Sequence, residues 1–163
     1  MFEPGNGTVK ESTAMMEKPI RRFIGKFYCT LDDKARLTVP SKFRELVPGE
    51  TGSKVLVISK AKDRCLNLFT LDYYDWIIDQ LGNLPPGPKQ RSLTRFYSSE
   101  SEHLAVDRVG RVQMPSYFLE ALASSKNLVV VGALTHMEIW RQEDFELVRR
   151  EANDAYLEGD WEL

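Results

Sequence analysis

The sequence predicts an α+β, β-rich protein made of two pseudo-symmetric repeats with flanking helices. Three observations carry that expectation. First, 42% of the 163 residues are hydrophobic and 28% charged, which is the composition of a packed domain and not of a disordered chain. Second, the segment from Leu31 to Phe43 (LDDKARLTVPSKF) aligns with that from Val106 to Phe118 (VDRVGRVQMPSYF) at an offset of 75, with Asp, Arg, Pro, Ser and Phe identical. Third, the match continues downstream. Lys54-Val55-Leu56-Val57-Ile58 answers Asn127-Leu128-Val129-Val130-Val131, and Cys65-Leu66-Asn67-Leu68-Phe69 answers His136-Met137-Glu138-Ile139-Trp140.

Each element of the repeat has a local cause. The apolar stretch from Phe23 to Cys29 precedes the Asp. Leu37-Thr38-Val39 and Val112-Gln113-Met114 follow the Arg and alternate as half-buried strands do. The charged residues between them read as a turn. Pro40-Ser41 and Pro115-Ser116 then end the strand and open a short helix, with Phe43, Leu46 and Val47 sharing one face of the first. A β-branched run, a second strand and a longer helix complete the unit. That helix follows Asp72, runs from Tyr73 to Leu81 and closes at Gly82; its counterpart starts at Glu143 or Asp144. Pro85-Pro86-Gly87-Pro88 is the strongest breaker cluster and, with residues 89–97, joins the halves.

The turns are the candidate functional sites. An Asp at the first turn position accepts hydrogen bonds from backbone N–H groups two or three residues on, so Asp32 and Asp107 are expected to stiffen their loops. That displays Arg36 and Arg111, with Lys34 in the first copy, at the tip of a two-stranded ribbon. A rigid ribbon with guanidinium groups at its end suits a DNA groove, where Arg meets phosphate or pairs bidentately with guanine. One such tip binds weakly, and repetition supplies the rest. The first copy carries Ala35 where the second has Gly110. If that position needs a positive φ, the alanine costs on the order of 1 kcal/mol or forces a different turn.

Net charge hides an asymmetry. The chain totals −2, yet residues 1–98 carry 16 Lys and Arg against 11 Asp and Glu, while residues 99–163 carry 6 against 13. The acids concentrate from Glu143 onward, which reads as a solvated helix running into an acidic tail.

Other chemistries find little support. Cys29 and Cys65 make neither a disulfide framework nor a thiolate zinc site, and Cys65 leads an apolar strand where a buried structural thiol is expected. His136 aligns with Cys65, which suggests equivalent packing positions. Neither Cys65 with a histidine nor His103 with Glu102 makes a convincing catalytic pair. The sequence contains no Gly-rich phosphate loop, nucleophile elbow or metal-spaced His/Cys group. Trp76, Trp140, Phe69 and Tyr74 are spaced as core residues. The expectation is a cytosolic protein that is not an enzyme, without metal, cofactor, small-molecule substrate or membrane span.

At these residues the chain resembles the MraZ family of bacterial transcriptional regulators. The likeness rests on the tandem Asp-x-x-(Gly)-Arg motif followed by an aliphatic strand and Pro, the Cys65-Leu66-x-Leu68-Phe69 stretch, and Val130-Val131-Gly132 leading to His136-Met137-Glu138-Ile139-Trp140. It spans roughly residues 22–150. The resemblance implies a double AbrB-like swapped-hairpin β-barrel, assembly into a homo-oligomeric ring, nucleoid association, and binding to direct repeats in the double-stranded promoter DNA of its own division and cell wall gene cluster. It also implies that Arg36 and Arg111 contact DNA, with Lys34 and Arg108 beside them, while Asp32, Asp107 and Gly110 hold the turns. The corresponding layout is an N-terminal tail (1–19), a first SpoVT-AbrB-like repeat (20–83), a linker and helix (84–100), a second repeat (101–148) and an acidic tail (149–163). A second expectation, of a different class, is an oligomeric assembly or protein-interaction protein in which DNA binding is weak or lost.

Overall fold

The computed structural model describes residues 15–159; the ends of both expected tails lie outside the described residues. Each repeat contributes four strands and two helices. The first holds β1 (Lys26–Thr30), β2 (Arg36–Thr38), α1 (Ser41–Arg44), β3 (Val55–Lys60), β4 (Cys65–Thr70) and α2 (Leu71–Gly82). After the Pro-rich breaker comes α3 (Pro88–Ser99), with Pro88 in its first turn where no backbone N–H is needed. The second repeat holds β5 (Ser101–Ala105), β6 (Arg111–Gln113), α4 (Ser116–Ala121), β7 (Asn127–Gly132), β8 (Met137–Arg141) and α5 (Gln142–Leu157). Helix α5 crosses the division expected at 148/149 without a break: Phe145 and Val148 pack on the sheet before it, and the helix continues to Leu157 with residues 149–154 exposed.

The halves interleave. One antiparallel sheet runs in the order β1-β7-β8-β4-β3-β5, and β2 and β6 form a separate ribbon. The first strand of each repeat therefore pairs in the other half: Lys26 of β1 lies opposite Val131 of β7, and Ala105 of β5 opposite Val55 of β3. Register reveals a pseudo-two-fold axis, since Leu37 faces Val112 in the ribbon and Asn67 faces Glu138 in the sheet, each pair joining equivalent repeat positions. The ladders stay open at β1 and β5, so the described residues contain no closed barrel.

Period-two alternation sorts the core into layers. Leu56, Ile58, Leu66, Leu68, Leu128, Val130, Met137 and Ile139 point from the sheet into one cluster. The ribbon and short helices close that cluster with Leu37, Val39, Val112 and Met114, and with Phe43, Val47, Phe118 and Leu122. Phe43 meets Phe23 and Phe27 edge-on at centroid distances of 5.6 and 5.0 Å. Each such fully buried side chain contributes about 1.5–3 kcal/mol of transfer free energy. On the opposite sheet face, Val57 and Phe69 pack under Tyr73 of α2, and Val129 and Trp140 under Phe145 of α5. Cys65 and His136 occupy related places there. Cys65 sits with Val129 and Trp140, and His136 lies against the Phe69 and Tyr73 rings. His136 itself falls in the bend before β8 and not within the strand.

Candidate nucleic-acid interface

The two motif turns share one hydrogen-bond pattern. Ala35 N–H donates to Asp32 O (3.0 Å) and Gly110 N–H to Asp107 O (3.0 Å), closing a β-turn in each repeat. Asp32 N–H then donates to Arg36 O, and Asp107 N–H to Arg111 O, which leaves Ala35 and Gly110 as one-residue bulges at positive φ. Asp32 Oδ1 accepts the backbone N–H groups of Lys34 and Arg36, and Asp107 Oδ1 those of Val109 and Arg111, all at 2.9 Å. The backbone N–H of Arg36 is the largest reason the Asp32 carboxyl is held below its ordinary range; Arg111 plays that part for Asp107. Ala35 therefore keeps the turn shape of Gly110, and its φ of 56° is accommodated without a different turn.

The second carboxylate oxygen of each Asp takes the Arg side chain. Arg36 Nε donates to Asp32 Oδ2 at 2.6 Å and Arg111 Nε to Asp107 Oδ2 at 2.9 Å. Both Arg side chains are only 28% exposed. Their Nη groups make no hydrogen bond among the described residues, so each guanidinium is fixed at one edge and open at the other.

The turns are not tips of hairpins, as the sequence suggests. Past the Asp-to-Arg closure the flanking strands part, β1 toward β7 and β2 toward β6. Apolar alternation drives this. Leu37 and Val112 are fully buried beneath the ribbon, which turns Arg36, Thr38, Arg111 and Gln113 outward together. Arg36 pairs with Gln113 and Arg111 with Thr38, so the two arginines are diagonal neighbours, about 7–8 Å apart between backbones on a shared face. Val39 N–H donates to Gly110 O, and Met114 N–H to Ala35 O, tying each bulge to the other half's strand. Gln113 Nε2 also donates to Lys34 O at 2.7 Å. Lys34 and Arg108 are exposed at opposite ends of the ribbon.

Sequence reading finds the arginines and their aspartates but misses Thr38 and Gln113 as members of the face. Their two-residue spacing from Arg36 and Arg111 is a usable signal; the cross-repeat register that joins the four is not legible in a single strand. The other candidates stay apart. Burial, with the Glu138 carboxylate beside it, pushes the Cys65 thiol far up, and Cys65 Sγ donates to Glu138 Oε2 at 3.4 Å. His103 and Glu102 are exposed on β5. Among the described residues no three His, Cys, Asp or Glu side chains converge as metal ligands, and no helix is long and apolar enough to cross a membrane.

Comparison with known proteins gives this repeat a family. The model of the family described as "MraZ protein, putative antitoxin-like" matches residues 23–95 and 98–160. The protein named transcriptional regulator MraZ from Dictyoglomus thermophilum is 35% identical over 132 residues, 80% of this chain and 87% of that one. Its namesake from Moorella thermoacetica is 36% identical over 135 residues (82% and 91%), and that from Salinispora tropica 34% over 137 (83% and 93%). With both repeats matched and relatives above 30% identity along nearly their whole length, the chain belongs to the MraZ family.

Proposed function

We propose that this chain is a DNA-binding transcriptional regulator that reads duplex DNA with the outward face of the β2–β6 ribbon. One observation carries the reading: Arg36 and Arg111 stand as diagonal neighbours on that face, each held by an aspartate through Nε with its Nη groups open. A guanidinium oriented in this way presents a planar pair of donors, the geometry that phosphate oxygens or guanine O6 and N7 accept. Thr38 and Gln113 add polar contacts between them. Lys34 and Arg108 extend the positive footprint at both ends, where they meet backbone phosphate. The Asp partners place the guanidiniums before DNA arrives, which lowers the ordering cost of binding. The mechanism is recognition without chemistry.

The relatives' names support regulation as the role. The target in this reading is the promoter DNA upstream of the chain's own gene, in direct repeats, engaged by several ribbons of a homo-oligomeric ring. The interleaved halves of each subunit form a swapped-hairpin, AbrB-like arrangement. Its place of action is the nucleoid. One ribbon covers few base pairs, so assembly multiplies contacts that are individually modest.

The test is a gel shift of the full chain on that upstream duplex against a shuffled control. Arg111→Ala is expected to abolish the specific shift while the melting curve and oligomeric state persist. A shift unchanged by Arg36→Ala and Arg111→Ala together would remove the ribbon from the DNA interface and favour an assembly role.

A further inference from the structure

The two turns are alike in backbone but differ in what stands behind them. Behind the second turn lies a cleft of about 240 Å³ between α1, the loop that follows it and Asp107–Gly110. Three cations line it, and each is positioned by a different contact. Arg44 Nη1 donates to Val109 O at 3.0 Å, and the Arg44 guanidinium covers Gly110 so closely that a Cβ there would collide with it. Lys54 Nζ donates to Arg44 O at 2.6 Å. Arg108 lies over Gly52, where an added Cβ would come within 2.9 Å of its Cγ. Among the described residues none of the three is in an ion pair, and Arg44 Nε is buried without a hydrogen-bond partner.

The pseudo-two-fold axis supplies a built-in comparison. An equivalent cleft stands behind the first turn, lined by Asp32, Asp33, Ala35, Leu119, Glu120 and Lys126 among others. Repeat alignment puts Leu119 where Arg44 is and Asp33 where Arg108 is. The structure moves the sequence alignment of β3 with β7 by one residue and puts Lys126, not Asn127, in the place of Lys54. The Lys126 carbonyl accepts the Leu31 N–H as the Lys54 carbonyl accepts that of Val106, and Thr30 pairs with Asn127 as Ala105 does with Val55. The second-turn cleft thus sets Arg44, Lys54 and Arg108 against Glu45 and Asp107, a balance of +1. The first-turn cleft sets Lys126 against Asp32, Asp33 and Glu120, a balance of −2.

We infer that the cleft behind the second turn is a phosphate site, occupied by a backbone phosphate of the duplex that the ribbon reads, and that its first-turn equivalent is not. Three unpaired cations gathered at one concave site attract a compact anion, and Arg44 Nη2, which makes no hydrogen bond among the described residues and is not buried as Nε is, remains a donor for it. The site adjoins Arg111 through the turn itself, so a duplex lying on the ribbon brings a phosphate to it. Each chain then sits asymmetrically on DNA, anchored at its second turn. The inference rests on the ribbon reading and deepens it.

Salt dependence of binding separates the two. On the upstream duplex, the slope of log K against log salt for the full chain should fall by about 0.9 when one phosphate contact is lost. Arg44→Leu, the residue of the other half, and Lys54→Met are each expected to produce that drop. Arg44→Lys should keep the slope near that of the parent, and Leu119→Ala should leave it unchanged. Melting curves and the Gly110 amide resonance report whether the turn survives each substitution. Parent binding with an unchanged slope in both Arg44→Leu and Lys54→Met overturns the phosphate site and leaves the ribbon reading standing. No binding by the parent at low salt overturns both. If inorganic phosphate shifts the Gly110 and Gly52 amides while neither substitution alters the DNA slope, the cleft takes a free anion and the DNA assignment falls.

Discussion

At Ala35 the backbone holds φ at 56°, and at Gly110 at 94°. A side chain at positive φ costs roughly 1–2 kcal/mol, and the structure shows why the first repeat tolerates it. Ala35 shares its cleft with Leu119, whereas Gly110 lies under the Arg44 guanidinium. Ala35→Gly should therefore be neutral or stabilising by up to about 1 kcal/mol, strain relief being offset by the looser unfolded chain. Gly110→Ala should destabilise by more than about 1 kcal/mol, because strain adds to a collision. Denaturant midpoints of the two variants check both signs. The aspartates give a pH prediction. Asp32 and Asp107 have carboxyls held low in the folded state, so their stabilisation is complete above the ordinary carboxylate range and is lost as pH falls through the depressed values. The amide resonances of Lys34, Arg36, Val109 and Arg111 should stay constant from neutral pH to about pH 5 and move only in stronger acid. Movement centred near neutrality would contradict the assigned hydrogen bonds.

The ribbon shows what the element scale adds. Leu37 and Val112 face each other and are fully buried, while the polar residues on either side of each stand outside. Leu37→Ala should cost about 2–5 kcal/mol by opening a cavity and should also weaken DNA binding, since it loosens the face that carries Arg36. Calorimetry and anisotropy on the same preparation test the pair of effects. Where β1 meets β7, Gly132 passes against the Phe23 carbonyl so closely that a Cβ would overlap it. Gly132→Ala should destabilise by about 1–3 kcal/mol, read as a lowered melting temperature. Much of this level was legible in the sequence. The repeat, the strand alternation, the Pro-Ser helix starts and the Asp-to-Arg turns all follow from local spacing. The partners of β1, β2 and β5 did not, because nothing within a strand of three to five residues says which half completes it. That gap made two separate tips out of what is one shared face.

Across the whole molecule, interleaving makes the repeats thermodynamically inseparable. A fragment of residues 20–83 leaves β1 without β7, β2 without β6 and one edge of β3 without β5. It should be unfolded as a monomer, and any folding should rise with concentration as two copies restore the missing pairs. Circular dichroism across a dilution series tests this; cooperative unfolding of a monomeric fragment would contradict it. The intact chain, in contrast, presents both arginines on one rigid surface. The most direct test of that surface is fluorescence anisotropy of the full chain on the duplex upstream of its own gene, at two salt concentrations, with Arg36→Ala and Arg111→Ala alongside. Specific, salt-sensitive binding that either substitution reduces at least tenfold is the predicted result. Binding equal on the shuffled duplex, or untouched by both substitutions, would contradict the assignment of the ribbon as the DNA-reading face.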